Sequence, residues 1–388
     1  CAHALLRVPS LGIARAPALL AAALFAVHPV ASSCVYPIAS GRETALPALW
    51  VIAVIWGWLR GRPLLAHSAL VLALLSKEQA AVVPAVFLAA DLLGLCGPAR
   101  RAPREWAVRY APSVVVLGLY AVLRAKLFGG SEFAAGSLLG PLWSYGYALQ
   151  VLIAPTRALV YEPEIEVWSS IPRMAAVAGA LLAMGLAAWR MRVERAPLLF
   201  WLGWFDILQL PTANLLEQEA RFDERYVFLA SLGLWAVLAT LASQGRGVAR
   251  VRVATLFCGA LVVGIAAGLT SARAAYFADD AAFVGQWHRS SPDSLDANVH
   301  LGRVRLIQGR LEEAEGLYAR AIELNPGSAP ARLGLGRVLH ETGRVDEARH
   351  DERVEQMVAV QFTGALYCIQ HMANAMREGG AITTIGSL

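Results

Sequence analysis

The sequence predicts an all-α chain: a polytopic bundle of membrane helices, then helical hairpins, then a short tail of α/β character. Three observations predict it. Of 388 residues, 57% are hydrophobic and 16% charged, against roughly 45–50% and about 25% in soluble domains; the mean hydropathy is +0.51. The apolar residues gather into runs near the length of a bilayer-crossing helix, in which the backbone must satisfy its own polar groups. Behind the last run, the residue pattern repeats with a period of 34.

About nine spans are expected within residues 1–272: Ala16 to Tyr36, Thr44 to Leu59, Leu64 to Ser76, Gln79 to Leu95, Tyr110 to Leu123, Met174 to Trp189, Leu198 to Leu216, Tyr226 to Gln244 and Val253 to Ala272. Lysine and arginine accumulate in cytoplasmic loops, which orients the bundle. Placing Arg7 and Arg15, Arg60 and Arg62, the Arg100 to Arg109 cluster, Arg190 to Arg195 and Arg246 to Arg252 inside leaves nearly all acidic loop residues outside. A crossing by Phe133 to Pro155 would break this alternation, so that segment is expected in the interface or re-entrant, with Trp143, Tyr145 and Tyr147 at headgroup level. An integral, multi-pass protein of a bacterial inner membrane is expected, with its repeats extracytoplasmic.

The net charge of +5 is spread over short arginine clusters between apolar runs, so nucleic acid is not an expected partner. Cys1, Cys34, Cys96, Cys258 and Cys368 show no CxxC or Cys/His spacing, so neither a metal site nor a disulfide framework is expected. No charged leader precedes the first span, and an upstream segment is expected before Cys1.

The orientation gathers four charged segments on the outer face: His28 to Glu43, Ser76 to Gln79, Tyr161 to Glu166 and Glu217 to Tyr226. Arg42, Lys77 and Arg225 are cations at headgroup depth, suited to an anionic phosphate as forks or a point charge. His28, Glu43, Glu78, Glu162, Glu164, Glu224 and Tyr226 complete a candidate polar site, whose carboxylates suit orientation or deprotonation of a hydroxyl. Charged residues at helix ends often only solvate those ends, and His28 before Pro29 also reads as a kink and packing element. Asp91 and Asp206, inside spans, are expected to face the bundle interior or a polar cavity.

In order, HPV and SGRE, LALLSKEQAAVVPAVFLAAD, IAPTRALVYEP, SSIP, LPTANL and DERYVFLASLG resemble the transmembrane-and-tetratricopeptide-repeat family, over roughly residues 16–348. That family is similar to the GT-C glycosyltransferases, and its animal members are O-mannosyltransferases using dolichyl-phosphate mannose. The resemblance implies transfer of a sugar from a polyprenyl-phosphate donor to a protein hydroxyl. It places the catalytic acid in a loop upstream of Cys1, so this chain alone is expected to be inactive. Ala230 stands where the family's ERYLYLPS pattern has proline.

After a linker at residues 273–293, one tetratricopeptide unit fits Leu301, Gly302, Gly309, Ala314, Tyr318, Ala321 and Pro326. Leu335, Gly336, Gly343 and Ala348 begin a second unit, within residues 294–349; Glu352 and Glu355 then replace the expected tyrosine and alanine. Residues 350–388 resemble the helix and strand before the catalytic serine of short-chain dehydrogenases, with Gln361 at an asparagine position and Ser387 near the serine. The glycine-rich cofactor loop and Tyr-x-x-x-Lys pair are missing from this piece, so no NAD chemistry is expected. The tail reads either as a cap on the repeats or as an unrelated sequence joined near Arg349. Expected partners are membrane lipid, a lipid-linked sugar donor and a protein or peptide acceptor, with no cofactor. The alternative is a noncatalytic membrane scaffold that recruits partners through its repeats.

Overall fold

The computed structural model describes residues 1–35, 38–98, 102–128, 140–155, 179, 194–213, 223–244 and 249–344. Among them every regular element is helical. Two units separate, Cys1–Ala278 and Asp279–Leu388.

In the first unit, α1 (Ala2–Leu6) precedes α2 (Arg15–Val27), α3 (Pro29–Ser32), α4 (Ile38–Leu59), α5 (Pro63–Ser76), α6 (Val83–Leu92), α7 (Pro103–Phe128), α8 (Gly140–Ile153), α9 (Arg195–Gln209), α10 (Arg225–Gln244) and α11 (Ala249–Ala274). These cover eight of the expected spans as helices or helical pieces; of Met174 to Trp189 residue 179 alone is among the described residues. Among the described residues, three helices are long and apolar enough to cross a membrane: Pro103–Leu127, Arg225–Gln244 and Val253–Phe277. Over the other expected spans, α4 runs 22 residues with Pro47 inside it, the rest are shorter or interrupted, and proline explains the break at His28. His28 is extended because the following ring disfavours the helical region, and Pro29 restarts the chain as α3. Lys77 is likewise extended, and a 3-10 turn over Glu78–Val82 leads to α6, with Pro84 in its first turn.

Antiparallel pairs build the unit: α4 packs on α5 and α9 on α10, while α2 lies against α10 and α11 and α6 against α9. The core is aromatic. Phe200, Trp201 and Trp204 of α9 are fully buried, Trp58 stacks on Phe87 at 4.1 Å, and Phe25 on Phe228 at 4.5 Å. By contrast, α7 and α11 turn large apolar residues outward, among them Val114, Leu119, Leu127, Val253, Phe257 and Ile265. Contiguous apolar faces of this kind call for lipid or a partner.

Asp91 resolves as a structural group facing the interior. Fully buried, it receives Arg109 Nε at 2.6 Å and Nη2 at 2.9 Å, and the Tyr110 hydroxyl at 2.8 Å. Arg109 also lies 4.1 Å from the centre of the Trp58 ring. Since Arg109 keeps partial access to solvent, Asp91→Ala is expected to destabilise by about 2 kcal/mol, the scale of lost hydrogen bonds to a charged group. Thermal unfolding in detergent measures it; a melting point equal to wild type would remove this role.

The segment expected at the interface behaves differently where it is described. Tyr147 of α8 is buried, and Tyr145 donates to the Asp206 carbonyl at 2.8 Å while meeting Phe205 edge-on. These tyrosines therefore serve packing between helices, because their hydroxyl and ring contacts lie within the bundle. The Asp206 side chain is exposed rather than turned to the interior.

The second unit begins with α12 (Asp280–Ser290), within the stretch expected as linker. Val284 and Trp287 are buried, and the Trp287 ring tilts against His300 at 5.6 Å; an amphipathic helix needs only such a stripe to dock. Next come α13 (Leu295–Ile307), α14 (Leu311–Leu324) and α15 (Ala329–Glu341). The 34-residue period is visible in the hydrogen bonds. Ser294 and Ser328 cap α13 and α15 by accepting from Ala297 and Ala331, and the Pro292 and Pro326 carbonyls accept from Asn298 and Arg332. Gly309 and Gly343 close the equivalent turns at φ 72° and 76°, where L side chains are strained. Residues 345–388, including the expected dehydrogenase-like tail, lie outside the described residues.

Candidate functional site

One end of the first unit collects charge. The end of α3, the start of α4, the turn from α5 to α6, the start of α10 and the end of α11 all contribute. Antiparallel pairing makes this unavoidable: if α4 begins where α5 ends, Glu43 and Lys77 share an end of the bundle, while Arg60 and Arg62 in the intervening turn sit at the other.

Lys77 is half-buried, with its ammonium 5.9 Å from the centre of the Tyr226 ring. Burial, then the neighbouring Arg225, hold its pKa below the ordinary lysine value, against the pull of Glu78, Glu43 and Asp223. Those mutual influences bring four residues of the expected site into one electrostatic neighbourhood. Lys77 itself has no ion-pair partner among the described residues. Glu43 and Glu78 are exposed, and Glu78 lies 3.6 Å from Arg124, a solvated pair of small energetic weight. Arg42 lies near the start of α4. Glu162 and Glu164 fall outside the described residues.

Three expected site residues are engaged in holding the fold. Arg225 directs Nε to Asp223 Oδ2 at 2.7 Å and pairs with it again through Nη2, while its own N–H bonds to Asp223 Oδ1 at 2.9 Å. Its fork is thus held by a carboxylate two residues away. Glu224 is buried, ion-paired with Arg273 and accepting from the Ser33 hydroxyl at 2.9 Å. Burial raises its pKa, opposed chiefly by Arg273. A carboxylate so enclosed is a poor base for an incoming hydroxyl. His28 is buried too: Nδ1 accepts from Val30 N–H, and Nε2–H donates to the Leu152 carbonyl at 3.1 Å, a pairing that calls for the neutral ring. It caps α3 and fastens α8, contacts that fit the kink and packing reading of His28.

Arg273, Asp223 and Ser33 were not singled out in the sequence. Arg273 follows the last expected span by one residue and reads there as a flanking charge. In the structure it is 5% exposed, and among the described residues its side-chain nitrogens Nε and Nη1 have no hydrogen-bond partner. Only Nη2 reaches Glu224. Two buried guanidinium N–H donors without acceptors are costly. Together with Lys77 they give this end of the bundle an unspent capacity for an anion.

With the geometry described, comparison adds one class. A tetratricopeptide repeat family model matches residues 305–350. Comparison with curated proteins gives no match. The match covers α14 and α15 and the end of α13, so the second unit carries a protein-interaction repeat.

Proposed function

We propose that this chain is the membrane part of a glycosyltransferase that moves a sugar, such as mannose, from a polyprenyl-phosphate donor to serine or threonine of a protein at the extracytoplasmic face. The outward apolar faces of α7 and α11 support a membrane setting. The observation that carries the donor site is Arg273, paired with Glu224 at the charged end and with two buried N–H groups that meet no acceptor among the described residues. In the reaction, the acceptor hydroxyl attacks the anomeric carbon with inversion while the bond from that carbon to the phosphate oxygen breaks, and the hydroxyl proton passes to the departing polyprenyl phosphate or to water. Fixed cations there stabilise the negative charge that builds on the leaving phosphate. Lys77 and Arg273 take this binding role, and Arg42, next in sequence to the Glu43 that acts on Lys77, joins them. Arg225 acts at one remove, because Asp223 holds its fork.

The test is binding of a polyprenyl monophosphate to the chain in nanodiscs, followed by tryptophan fluorescence. Lys77→Gln is expected to weaken binding about tenfold, the equivalent of one lost charge-assisted contact, while Lys77→Arg retains most of it. Equal affinity for wild type and Lys77→Gln removes the donor site. A second reading, a noncatalytic scaffold, is favoured by the family match lying wholly in the repeats; it expects no polyprenyl-phosphate binding by the wild-type chain.

A further inference from the structure

The end of the first unit opposite Lys77 carries a pair of cations that the donor site does not use. Arg60 and Arg62 flank Gly61 in the turn from α4 to α5. The backbone fixes this turn. Gly61 takes φ 66°, its N–H reaches the Trp58 carbonyl at 3.0 Å, and the Arg62 N–H reaches the Gly57 carbonyl at 2.8 Å. Such a pair of bonds closes a helix end in the left-handed geometry that glycine permits. Pro63 then opens α5 with its φ already set. A Cβ added at Gly57 would stand 3.2 Å from the Ala66 nitrogen, so α4 and α5 meet closely beside the turn. The two arginines are thus held out from a preorganised loop.

Both guanidinium groups converge on one indole. Arg60 Cζ lies 5.8 Å and Arg62 Cζ 5.3 Å from the centre of the half-buried Trp56 ring, within range of a cation–π attraction. Both arginines are exposed, and neither makes an ion pair or a side-chain hydrogen bond among the described residues. Elsewhere in this unit Arg109, Arg225 and Arg273 are each paired with a carboxylate. No side chain caps α5, so the positive end of its dipole adds to the same turn. Leu64 and Leu65, which follow directly, are 83% and 40% exposed. Leu65 Cγ would lie 3.4 Å from a Cβ at Gly57, the residue after Trp56, so hydrocarbon and indole are neighbours.

We infer that the turn from α4 to α5 binds the headgroup of an anionic phospholipid, its phosphodiester between Arg60 and Arg62 and its acyl chains against Leu64 and Leu65. The inference rests on the membrane setting proposed above and is independent of the donor site. Guanidinium forks match the two non-bridging oxygens of a phosphodiester, and an indole at headgroup level favours the boundary between hydrocarbon and water. Free phosphate would satisfy the arginines and leave Leu64 in water. A lipid offers charge and hydrocarbon to adjacent side chains at once, which is why it is the occupant that fits.

The test is native mass spectrometry of the full chain released from detergent, titrated with dioleoylphosphatidylglycerol. The double variant Arg60→Gln, Arg62→Gln is expected to weaken binding of that lipid about tenfold, and the double lysine variant to recover part of the loss. Arg15→Gln, at an exposed arginine outside the turn, should bind as wild type does, and the circular dichroism of all variants should match. Glycerophosphoglycerol, the same headgroup without chains, should not displace the lipid at equal concentration. Equal affinity in wild type and the glutamine double variant, an equal loss in Arg15→Gln, or displacement by the soluble headgroup overturns the site. A chain that stays dissolved without detergent removes the membrane setting, and this inference with it. A chain that needs detergent and binds polyprenyl phosphate, but holds phosphatidylglycerol no better than the double variant, loses this site alone.

Discussion

Glu224→Ala is expected to destabilise the first unit by about 3–5 kcal/mol, the scale for removing one partner of a buried ion pair. Glu224 precedes α10, its partner Arg273 ends α11, and Ser33 follows α3, so a single carboxylate ties three segments. Its loss leaves Arg273 buried with no anion among the described residues, where Nε and Nη1 already lack acceptors. The double variant Glu224→Ala, Arg273→Met is expected to recover part of the stability, since the stranded charge is removed with the carboxylate. Thermal unfolding in detergent measures both; a single variant within about 0.5 kcal/mol of wild type, the usual range for inconsequential surface changes, would sink the account.

The second large effect is expected at Gly233, where α10 crosses α9. An added Cβ would stand 2.5 Å from the Trp201 carbonyl oxygen, 2.9 Å from Trp204 Cδ1 and 3.1 Å from the Phe205 nitrogen. Two of those atoms are backbone and cannot rotate away. Small residues permit such close approach between apolar helices, where packing rather than water exclusion drives association. Gly233→Val must part the helices, straining the bond from Trp204 Nε1 to the Leu229 carbonyl at 3.0 Å, and is expected to cost about 3 kcal/mol, the upper range for overpacking. Gly203, also on α9, meets nothing within 4 Å, so Gly203→Ala is expected to stabilise by up to about 1 kcal/mol through helix propensity. If the two substitutions melt alike, close packing at Gly233 is not what holds the pair.

Legibility in the sequence followed the physical range of each signal. Apolar runs report on their own environment, so the helices over Thr44 to Leu59, Tyr226 to Gln244 and Val253 to Ala272 were readable within a few residues. The 34-residue period was readable because serine caps and glycine turns are local devices repeated in register. Helix α12 was missed because its buried stripe is short and surrounded by polar residues. At the charged end, three of the four expected segments contribute described residues, since alternating helices return their ends to the same sides; Tyr161 to Glu166 lies outside the described residues. Sequence did not distinguish Arg225 from Arg273. Both are arginines at helix ends, and only their neighbours differ: Asp223 closes one fork, while the other is buried with two donors that meet no acceptor among the described residues.

Composition and periodicity by themselves therefore determined an all-α chain of apolar helices with tetratricopeptide hairpins behind them, because both are set by patterns a few residues long. Tertiary structure alone decided which charges are spent. Ion pairing and burial are properties of groups far apart in the chain: His28 with Leu152, Ser33 with Glu224, and Glu224 with Arg273 meet across 124, 191 and 49 residues. A side chain's chemistry is fixed by what it touches, and those contacts exist only once the helices are packed.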